Sequence, residues 1–150
     1  MITHKSGTFY YNNSLAFHLP DNMALFSGEI TEDCIHLIAP DDSFRFTIEI
    51  FPAAEKGAQK FIEEIYEEVD TYKMLSMRSI KTKNGLYGFG SEYEGSRHTY
   101  EEIAIETQAG DKRVLFNLWT FYRIGLHIDE DLRRRALQQV LDSLSIVQNL

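Results

Sequence analysis

The residues best suited to chemistry are the single cysteine and the five histidines. Cys34 and His36 alternate along a run with strand character, so their side chains share one face. Zinc usually takes three or four protein ligands, and no histidine spacing supplies a third. A cysteine nucleophile paired with His18, His36 or His127 would need a contact that sequence spacing does not show. Because a buried strand cysteine is the commoner case, we predict neither a metal site nor a catalytic site.

Glycines and adjacent acids give no stronger catalytic signal. Gly85, Gly88 and Gly90 follow a strand but open no helix, and they lack the Lys-Ser/Thr ending of a phosphate-binding loop. We interpret them as positions where a helix or a bulge approaches the sheet. Carboxylate chemistry would need acids from separate elements to converge, so we assign Asp41-Asp42 and Glu101-Glu102 to turn and surface roles. We therefore expect a protein that is not an enzyme and uses no cofactor.

Length and composition indicate an ordinary globular unit. The chain has 150 residues, of which 43% are hydrophobic and 25% are charged. That length is enough to bury a sizeable core, and we predict a single domain covering residues 1–150. The single cysteine excludes a disulfide within the chain.

The charge balance and the hydropathy pattern narrow the choice of partners and compartment. The formal net charge is −8, and the one basic cluster, residues 133–135, adjoins the acidic residues 129–131. A phosphate-binding surface needs clustered Lys and Arg, so we expect no nucleic-acid partner. No run approaches the ~20 apolar residues of a membrane helix, and residues 1–7 lack the apolar run of a signal peptide. We expect no membrane insertion and a cytoplasmic protein.

One long apolar run organises the predicted fold. Residues 112–123 combine β-branched and aromatic side chains, with Val114 and Phe116 on one alternating face and Trp119 and Phe121 on the other. This pattern is typical of a central strand whose sheet is covered on both faces. We therefore predict that Trp119, the only tryptophan, is buried in the sheet core.

The other strand signals surround this run. Residues 34–39 and 44–51 alternate as strands and are joined by turn residues, which predicts a hairpin. Residues 75–123 predict a four-stranded antiparallel meander. Its first turn contains Asn84-Gly85, a pair typical of a type I′ turn, in which both central residues have positive φ.

Two segments change to the three-to-four spacing of amphipathic helices. The first covers about residues 54–74. The second covers residues 130–144, with Asp129 as its N-cap and Arg133 off its apolar stripe. The sequence thus predicts an α+β fold, in which an antiparallel sheet (hairpin plus meander) packs with two main helices.

A surplus of aromatic residues outside the central strand is the most usable functional signal. Tyr87, Phe89 and Tyr93 fall on one face of their strand, and Tyr100 lies on the neighbouring strand. Tyrosine joins an apolar ring to a polar tip and is enriched at interfaces. These four residues form our predicted partner-binding surface, and packing of the same rings in the core is the alternative. If these rings are core residues, the segment Phe9-Tyr10-Tyr11 is the next candidate for the binding surface.

The order of these segments resembles a known family. Phe17-His18-Leu19-Pro20 precedes the hairpin and the first helix, the Asn84-Gly85 turn leads into an aromatic strand, and the closing helix ends in Leu-Asp-Ser-Leu at residues 141–144. Across roughly residues 15–146 the chain resembles the PsbP-like fold family. That family includes a nuclear import factor that binds Ran and many small bacterial proteins, one branch of which chaperones type VI secretion effectors. The resemblance implies an adaptor, chaperone or assembly role.

Three functions are compatible with these patterns. The leading hypothesis is a non-catalytic binding or adaptor module whose partner is another protein or a second copy of the chain, as a homodimer. The second is a small-molecule-binding protein or an unrecognised hydrolase with a pocket between helix and sheet. The third is a structural subunit of a larger complex.

Overall fold

A computed structural model of the protein describes the backbone of residues 2–4, 7–11, 15–20, 23–25, 34–67 and 72–146, and the side chains of residues 15–20, 23, 34–65, 67 and 72–146. In chain order, the strands are β1 (Ile2–His4), β2 (Gly7–Tyr11), β3 (Leu15–His18), β4 (Ala24–Leu25), β5 (Cys34–Ile38), β6 (Arg45–Phe51), β7 (Lys73–Lys81), β8 (Tyr87–Glu94), β9 (His98–Ala109), β10 (Lys112–Arg123) and β11 (Ser145–Ile146). The helices are α1 (Ala58–Glu67) and α2 (Glu130–Ser143).

β10 is the middle strand of a seven-stranded antiparallel sheet with the order β4-β5-β6-β10-β9-β8-β7. This position confirms the predicted central strand. The predicted hairpin is β5–β6, and the predicted meander is β7–β10. A smaller sheet has the order β1-β2-β3-β11. Antiparallel strands packed with two helices make the fold α+β, as predicted.

The two faces of the large sheet differ in what covers them. The core face carries Val114, Phe116 and Leu118 of β10 and packs against α2 and β3 in one buried cluster. Phe17 of β3 meets Phe116 edge-on, with ring centroids 5.5 Å apart. The buried residues that α2 adds to this cluster are Ala136, Leu137, Val140 and Leu141. The other face, which we call the α1 face, carries Leu115, Trp119 and Phe121.

Only part of the α1 face lies beneath α1. Ala58 and Ile62 of the helix form a buried cluster with Ala104 of β9 and Leu115 of β10, and Phe89 of β8 packs against it. These sheet residues lie toward one end of the face. The opposite end, where Trp119 and Phe121 lie, is only partly shielded from solvent.

Helix α1 is shorter than the predicted 54–74. Ala54 lies in neither a helix nor a strand and donates its amide to the Arg113 carbonyl at 2.8 Å, and the helix begins only at Ala58. The Glu106 carboxylate accepts the Ala58 amide at 3.1 Å, so a side chain from the sheet caps the helix. At the other end, Met74 already pairs with Tyr93 in β7–β8. Hydrogen bonding to the sheet satisfies the backbone of Ala54 and Met74 and outweighs the helical spacing of their apolar side chains. Residues 68–71 lie outside the described part of the chain.

Helix α2 matches the predicted 130–144 within one residue. The Asp129 side chain accepts the Leu132 amide at 3.0 Å, which confirms the predicted N-cap. Arg133, however, is 5% exposed and is not a surface residue. Its Nη1 donates to Glu101 of β9 at 2.6 Å, and its Nη2 donates to Glu130 at 3.1 Å. The predicted surface role of Glu101 is therefore wrong, because the ion pair buries both partners between α2 and the sheet.

The turn at Asn84-Gly85 is not type I′. Of the two residues, only Gly85 has positive φ, at 82°. Its amide donates to the Thr82 carbonyl at 3.0 Å, which closes a four-residue turn, and the Thr82 hydroxyl accepts the Leu86 amide at 3.0 Å. The Asn84 side chain donates to the Asp142 and Leu144 carbonyls at 3.3 and 3.0 Å. A contact with the end of α2 therefore accompanies the different turn.

Gly88 and Gly90 make room for side chains of neighbouring strands rather than for a helix. A Cβ on Gly88 would lie 2.1 Å from the Ala104 carbonyl oxygen and 2.6 Å from Ile105 Cδ1. A Cβ on Gly90 would lie 2.7 Å from Ile80 Cδ1. Both glycines face the core, so their absent side chains let isoleucines of β7 and β9 pack over β8.

Candidate functional site: an aromatic ribbon on the α1 face

The four residues of the predicted partner-binding surface have different environments. Tyr87 is 61% exposed, whereas Tyr93 is 8% exposed and buried. Phe89 and Tyr100 are half-buried, and Phe89 packs against the cluster beneath α1. A single exposed stripe is therefore not formed, because α1 covers its middle. Tyr93 and Tyr100 do come together, with stacked rings whose centroids are 5.0 Å apart. The side chains of Phe9-Tyr10-Tyr11 lie outside the described residues.

Six rings on the α1 face form a continuous chain of contacts that we call the aromatic ribbon. Its members are Tyr72, Tyr93, His98, Tyr100, Trp119 and Phe121. Tyr72 contacts Tyr93 and Tyr100 at 5.4 and 5.3 Å between ring centroids. Phe121 contacts Tyr100 at 6.2 Å and His98 at 5.6 Å. Trp119 stacks on Phe121 at 5.4 Å with 24° between the ring planes.

Strand register explains why these rings meet. Tyr93, Tyr100 and Phe121 lie directly opposite one another across β8, β9 and β10. Residues two apart on a strand share a face, which places His98 beside Tyr100 and Trp119 beside Phe121. The sequence pattern assigned Trp119 and Phe121 to one face but did not group them with Tyr93 and Tyr100, because only pairing between strands brings the two pairs together.

Trp119 is half-buried, so the prediction that it lies in the buried core is wrong. Its face was identified correctly, but α1 covers Leu115 four residues away rather than Trp119. The signal that would have identified the ribbon is the polar content of this face. Asn117 precedes Trp119 on this face, and Thr47 of β6 lies opposite Trp119, whereas the core face is apolar along the middle of β10.

Glu102 lies next to the ribbon and is 5% exposed, so its predicted surface role is also wrong. The Tyr93 hydroxyl donates to its Oε1 at 3.3 Å. With its amide nitrogen turned toward β9, Asn117 donates to Glu102 Oε2 at 3.3 Å. Burial raises the pKa of Glu102 to about 7, and the nearby charge of Glu49 adds to the increase. This carboxyl group can therefore hold a proton near neutral pH.

The tyrosines of the ribbon respond to the same environment. Burial raises the pKa of Tyr93, and the charge of Glu102 raises it further. Burial likewise raises the pKa of Tyr100 to about 12, with its hydrogen bond to Tyr72 as the next cause. Both hydroxyl groups are consequently protonated donors at physiological pH, so the ribbon presents apolar ring surface with a few neutral polar atoms.

The cavity between α2 and the sheet is lined by charged residues that already pair with one another. It has a volume of about 360 Å³ and contains Arg78, Glu92, Glu101, Glu130 and Arg133. Besides the contacts of Arg133, Arg78 lies 3.6 Å from Glu101 and 3.7 Å from Glu92. Ligand pockets typically present a few convergent polar groups, but here each acid has an arginine within reach. The arrangement therefore ties α2 to the sheet.

The cysteine and the histidines are placed mostly apart. Cys34 Sγ lies 3.9 Å from His36 Nε2, and His36 Nδ1 lies 3.1 Å from the Thr47 hydroxyl. His18 contacts Gln139 of α2, and His127 lies in the exposed loop before α2. Across the described ranges, no three His, Cys, Asp or Glu side chains converge as a metal site would require. In the same residues, no helix has the length and apolar character to span a bilayer.

Comparison with known proteins gives a structural match only. No family model matches the chain, and no curated protein matches it in sequence. The crystal structure of LpqN, which is involved in cell envelope biogenesis of Mycobacterium tuberculosis, superimposes with a TM-score of 0.62. The protein shares the fold of LpqN. The match has 11% identity and covers 89% of this chain and 83% of LpqN, so it shows the fold alone.

A second solved structure, from Bacteroides thetaiotaomicron, matches with a TM-score of 0.43 and 16% identity. It covers 89% of this chain but 45% of the other, so the chain spans about half the length of that protein. Since no family model matches, membership of the PsbP-like family stays a prediction.

Proposed function

We propose that the protein is a non-catalytic binding module that holds its partner on the aromatic ribbon. One observation carries the proposal: six rings are in continuous contact on one sheet face, and five of them remain partly exposed to solvent. Contiguous exposed apolar surface is uncommon on monomeric proteins and usually marks a partner site. Aromatic side chains also lose little conformational freedom on binding, because they have only two side-chain torsions.

A protein partner or a second copy of the chain fits this surface best. The ribbon lies on a strand-built face rather than in a deep cavity, and flat surfaces of this kind suit another macromolecule. The involvement of LpqN in cell envelope biogenesis and the resemblance to the PsbP-like family are both compatible with an adaptor or chaperone-like role. We further propose that the protein acts in the cytoplasm and does not bind nucleic acid.

The alternative is a small-molecule-binding protein, and one cavity favours it. Where the chain enters α1, a cavity of about 380 Å³ is lined by Phe51, Ala54, Phe61 and Leu115, with Glu55 and Lys56 as charged neighbours. Its position between helix and sheet is the one expected for such a pocket. This cavity is separate from the ribbon. Phe61→Ser should therefore weaken the binding of an apolar ligand in the cavity, and Trp119→Ser should not.

Affinity capture with matched variants tests the proposed function. The Tyr100→Ser, Trp119→Ser double variant removes two ribbon rings, while Tyr87→Ser removes an exposed tyrosine outside the ribbon. Partners retained by the wild-type protein and by Tyr87→Ser should be lost from the double variant. Thermal unfolding of all three proteins controls for folding, and a Trp119→Phe variant should retain capture because it keeps an aromatic ring at that position.

Self-association is measured in the same series. Sedimentation equilibrium over a range of concentrations would show a dimer for the wild type and for Tyr87→Ser, and a monomer for the ribbon variant. Equal capture and equal association for a folded ribbon variant and the wild type would refute the proposal.

A further inference from the structure

A small cavity lies at one end of the aromatic ribbon, and its walls come from three adjacent strands. Its volume is about 290 Å³, and Arg45 of β6, His98 of β9, and Phe121 and Arg123 of β10 all line it. Arg45 lies opposite Phe121 in the sheet, and Arg123 lies opposite His98. All four side chains belong to the α1 face, so register alone brings two arginines and a histidine around one ring.

The charges in this cavity contrast with the rest of the chain. The protein has a formal net charge of −8, yet the cavity holds two arginines and one acid, Asp42. Asp42 is paired with Arg45, whose Nε and Nη2 both donate to Asp42 Oδ1 at 3.2 Å. Among the described residues, the Arg123 side chain makes no hydrogen bond or ion pair, and the His98 ring makes aromatic contacts but no hydrogen bond. Two donors are thus available to an anion.

Phe121 and Leu126 supply apolar walls to the same cavity. Phe121 presents a ring whose plane is fixed by stacking on Trp119. Leu126, in the loop after β10, lines the cavity and is 51% exposed, so its side chain is accessible to a ligand. A ligand that satisfies both sets of groups must combine a negative charge with a flat apolar body. The volume is at the lower end for ligand pockets, so that body must be small.

We propose that this cavity binds a small aromatic carboxylate, with the carboxylate held by Arg123 and His98 and the ring held between Phe121 and Leu126. A guanidinium group binds a carboxylate in a planar geometry with two parallel hydrogen bonds. A phosphate can use the same geometry, but inorganic phosphate has no apolar part to contact Phe121 and Leu126. The proposal goes beyond partner capture on the ribbon and does not depend on it, although His98 and Phe121 belong to both surfaces.

Three probe molecules distinguish the contribution of the carboxylate charge from that of the aromatic ring. Benzoate has both the charge and the ring, benzamide has the same shape without the charge, and acetate has the charge without the ring. Titration calorimetry should give saturable binding of benzoate with a Kd on the order of 1 mM, which is reasonable for a ligand of this size. Benzamide and acetate should each bind at least about tenfold more weakly.

Variants of exposed residues locate the binding. Arg123→Gln should weaken benzoate binding about tenfold or more, because a charge-assisted pair is lost. Arg97→Gln, a nearby exposed arginine outside the cavity, should leave the Kd unchanged. Leu126→Ser removes one of the two apolar walls and should weaken benzoate binding while leaving acetate binding unchanged, which provides a second test if Arg123→Gln does not fold. Benzoate should also change the fluorescence of Trp119 through Phe121.

Two results would overturn the proposal. The first is an absence of saturable benzoate binding up to about 10 mM, well above the expected Kd. The second is equal weakening by Arg123→Gln and Arg97→Gln, which would indicate a general charge effect. Neither result bears on partner capture, which is measured with ribbon variants that leave Arg123 and Leu126 intact.

Discussion

Glu102 is the residue whose ionisation couples the candidate site to stability. Burial raises its folded-state pKa to about 7, above the ordinary value of 4.5. Between these two values the folded protein binds the proton more firmly than the unfolded chain does. The stability that this proton confers is therefore fully present below pH 4.5 and is lost as the pH rises through 7.

We predict that Glu102→Gln removes this pH dependence. Glutamine keeps the shape of the protonated acid, so at pH 8 the variant should be more stable than the wild type by on the order of 3 kcal/mol. At pH 5 the two proteins should differ by less than about 1 kcal/mol. Urea unfolding at both pH values measures the difference, and Glu94→Gln on the neighbouring strand serves as the control. An equal difference at both pH values would mean that Glu102 ionises as an exposed glutamate does.

A second prediction separates exposed from packed rings on β8. Tyr87→Ser should change the free energy of unfolding by less than about 0.5 kcal/mol, because Tyr87 is 61% exposed. Phe89→Ser should cost about 2 kcal/mol, because Phe89 packs on the cluster formed by α1, β9 and β10. Chemical denaturation of the two variants measures both effects. Equal losses would show that α1 does not cover Phe89.

At the scale of elements, the contact between α2 and the sheet combines an apolar stripe with a buried charge. Arg133 pairs with Glu101 and lies over the Tyr122 ring, with its guanidinium carbon 5.3 Å from the ring centre. Arg134, the next residue, has a side chain that is 74% exposed and lies 3.7 Å from Glu130. The chain thus contains a buried arginine and an exposed one side by side.

These adjacent arginines make a matched pair of variants. Arg133→Ala should destabilise the protein by about 3–5 kcal/mol, because it leaves Glu101 buried without its closest partner. Arg134→Ala should cost less than about 0.5 kcal/mol, since exposed ion pairs contribute little. Thermal or urea unfolding at neutral pH compares the two. A small loss for both would indicate that water already reaches Glu101.

At the scale of the whole molecule, α2 and β11 join the two sheets. α2 packs on the core face of the large sheet, and β11 pairs with β3 of the small sheet. His18 of β3 also donates its amide to Ser143 of α2 at 2.7 Å. The buried cluster therefore contains residues of both sheets and α2. Each of these parts needs the others to shield its apolar surface from water.

We therefore predict that a chain ending before Glu130 does not fold. Its core would lose the buried residues of α2, and the remaining exposed apolar surface would favour aggregation. The truncated protein should be insoluble, or should bind hydrophobic dyes and lack near-ultraviolet circular dichroism. A soluble truncated chain with the dichroism of the full protein would show that α2 is a detachable element.

Sequence alone was sufficient for the elements whose local pattern and tertiary role agree. The alternation of Val114 and Phe116 with Leu115 identified the central strand, because both faces of β10 near its middle are covered. The capping residue and apolar stripe of α2 identified that helix, because both signals are local and the helix packs along its whole stripe. The start and end of α1 did not follow, since pairing of Ala54 and Met74 with the sheet outweighed helical spacing.

The candidate site depended on tertiary structure. Sequence placed Tyr87, Phe89 and Tyr93 on one face. The exposure of each ring, however, depends on which part of this face α1 covers, and local periodicity does not predict how far α1 extends. Glu101 and Glu102 are adjacent in sequence, yet they point to opposite faces and are buried by different partners. Register across β8, β9 and β10 brings the ribbon and the arginine-lined cavity together. Strand register is fixed by packing and pairing between distant segments, so only the folded chain determines it.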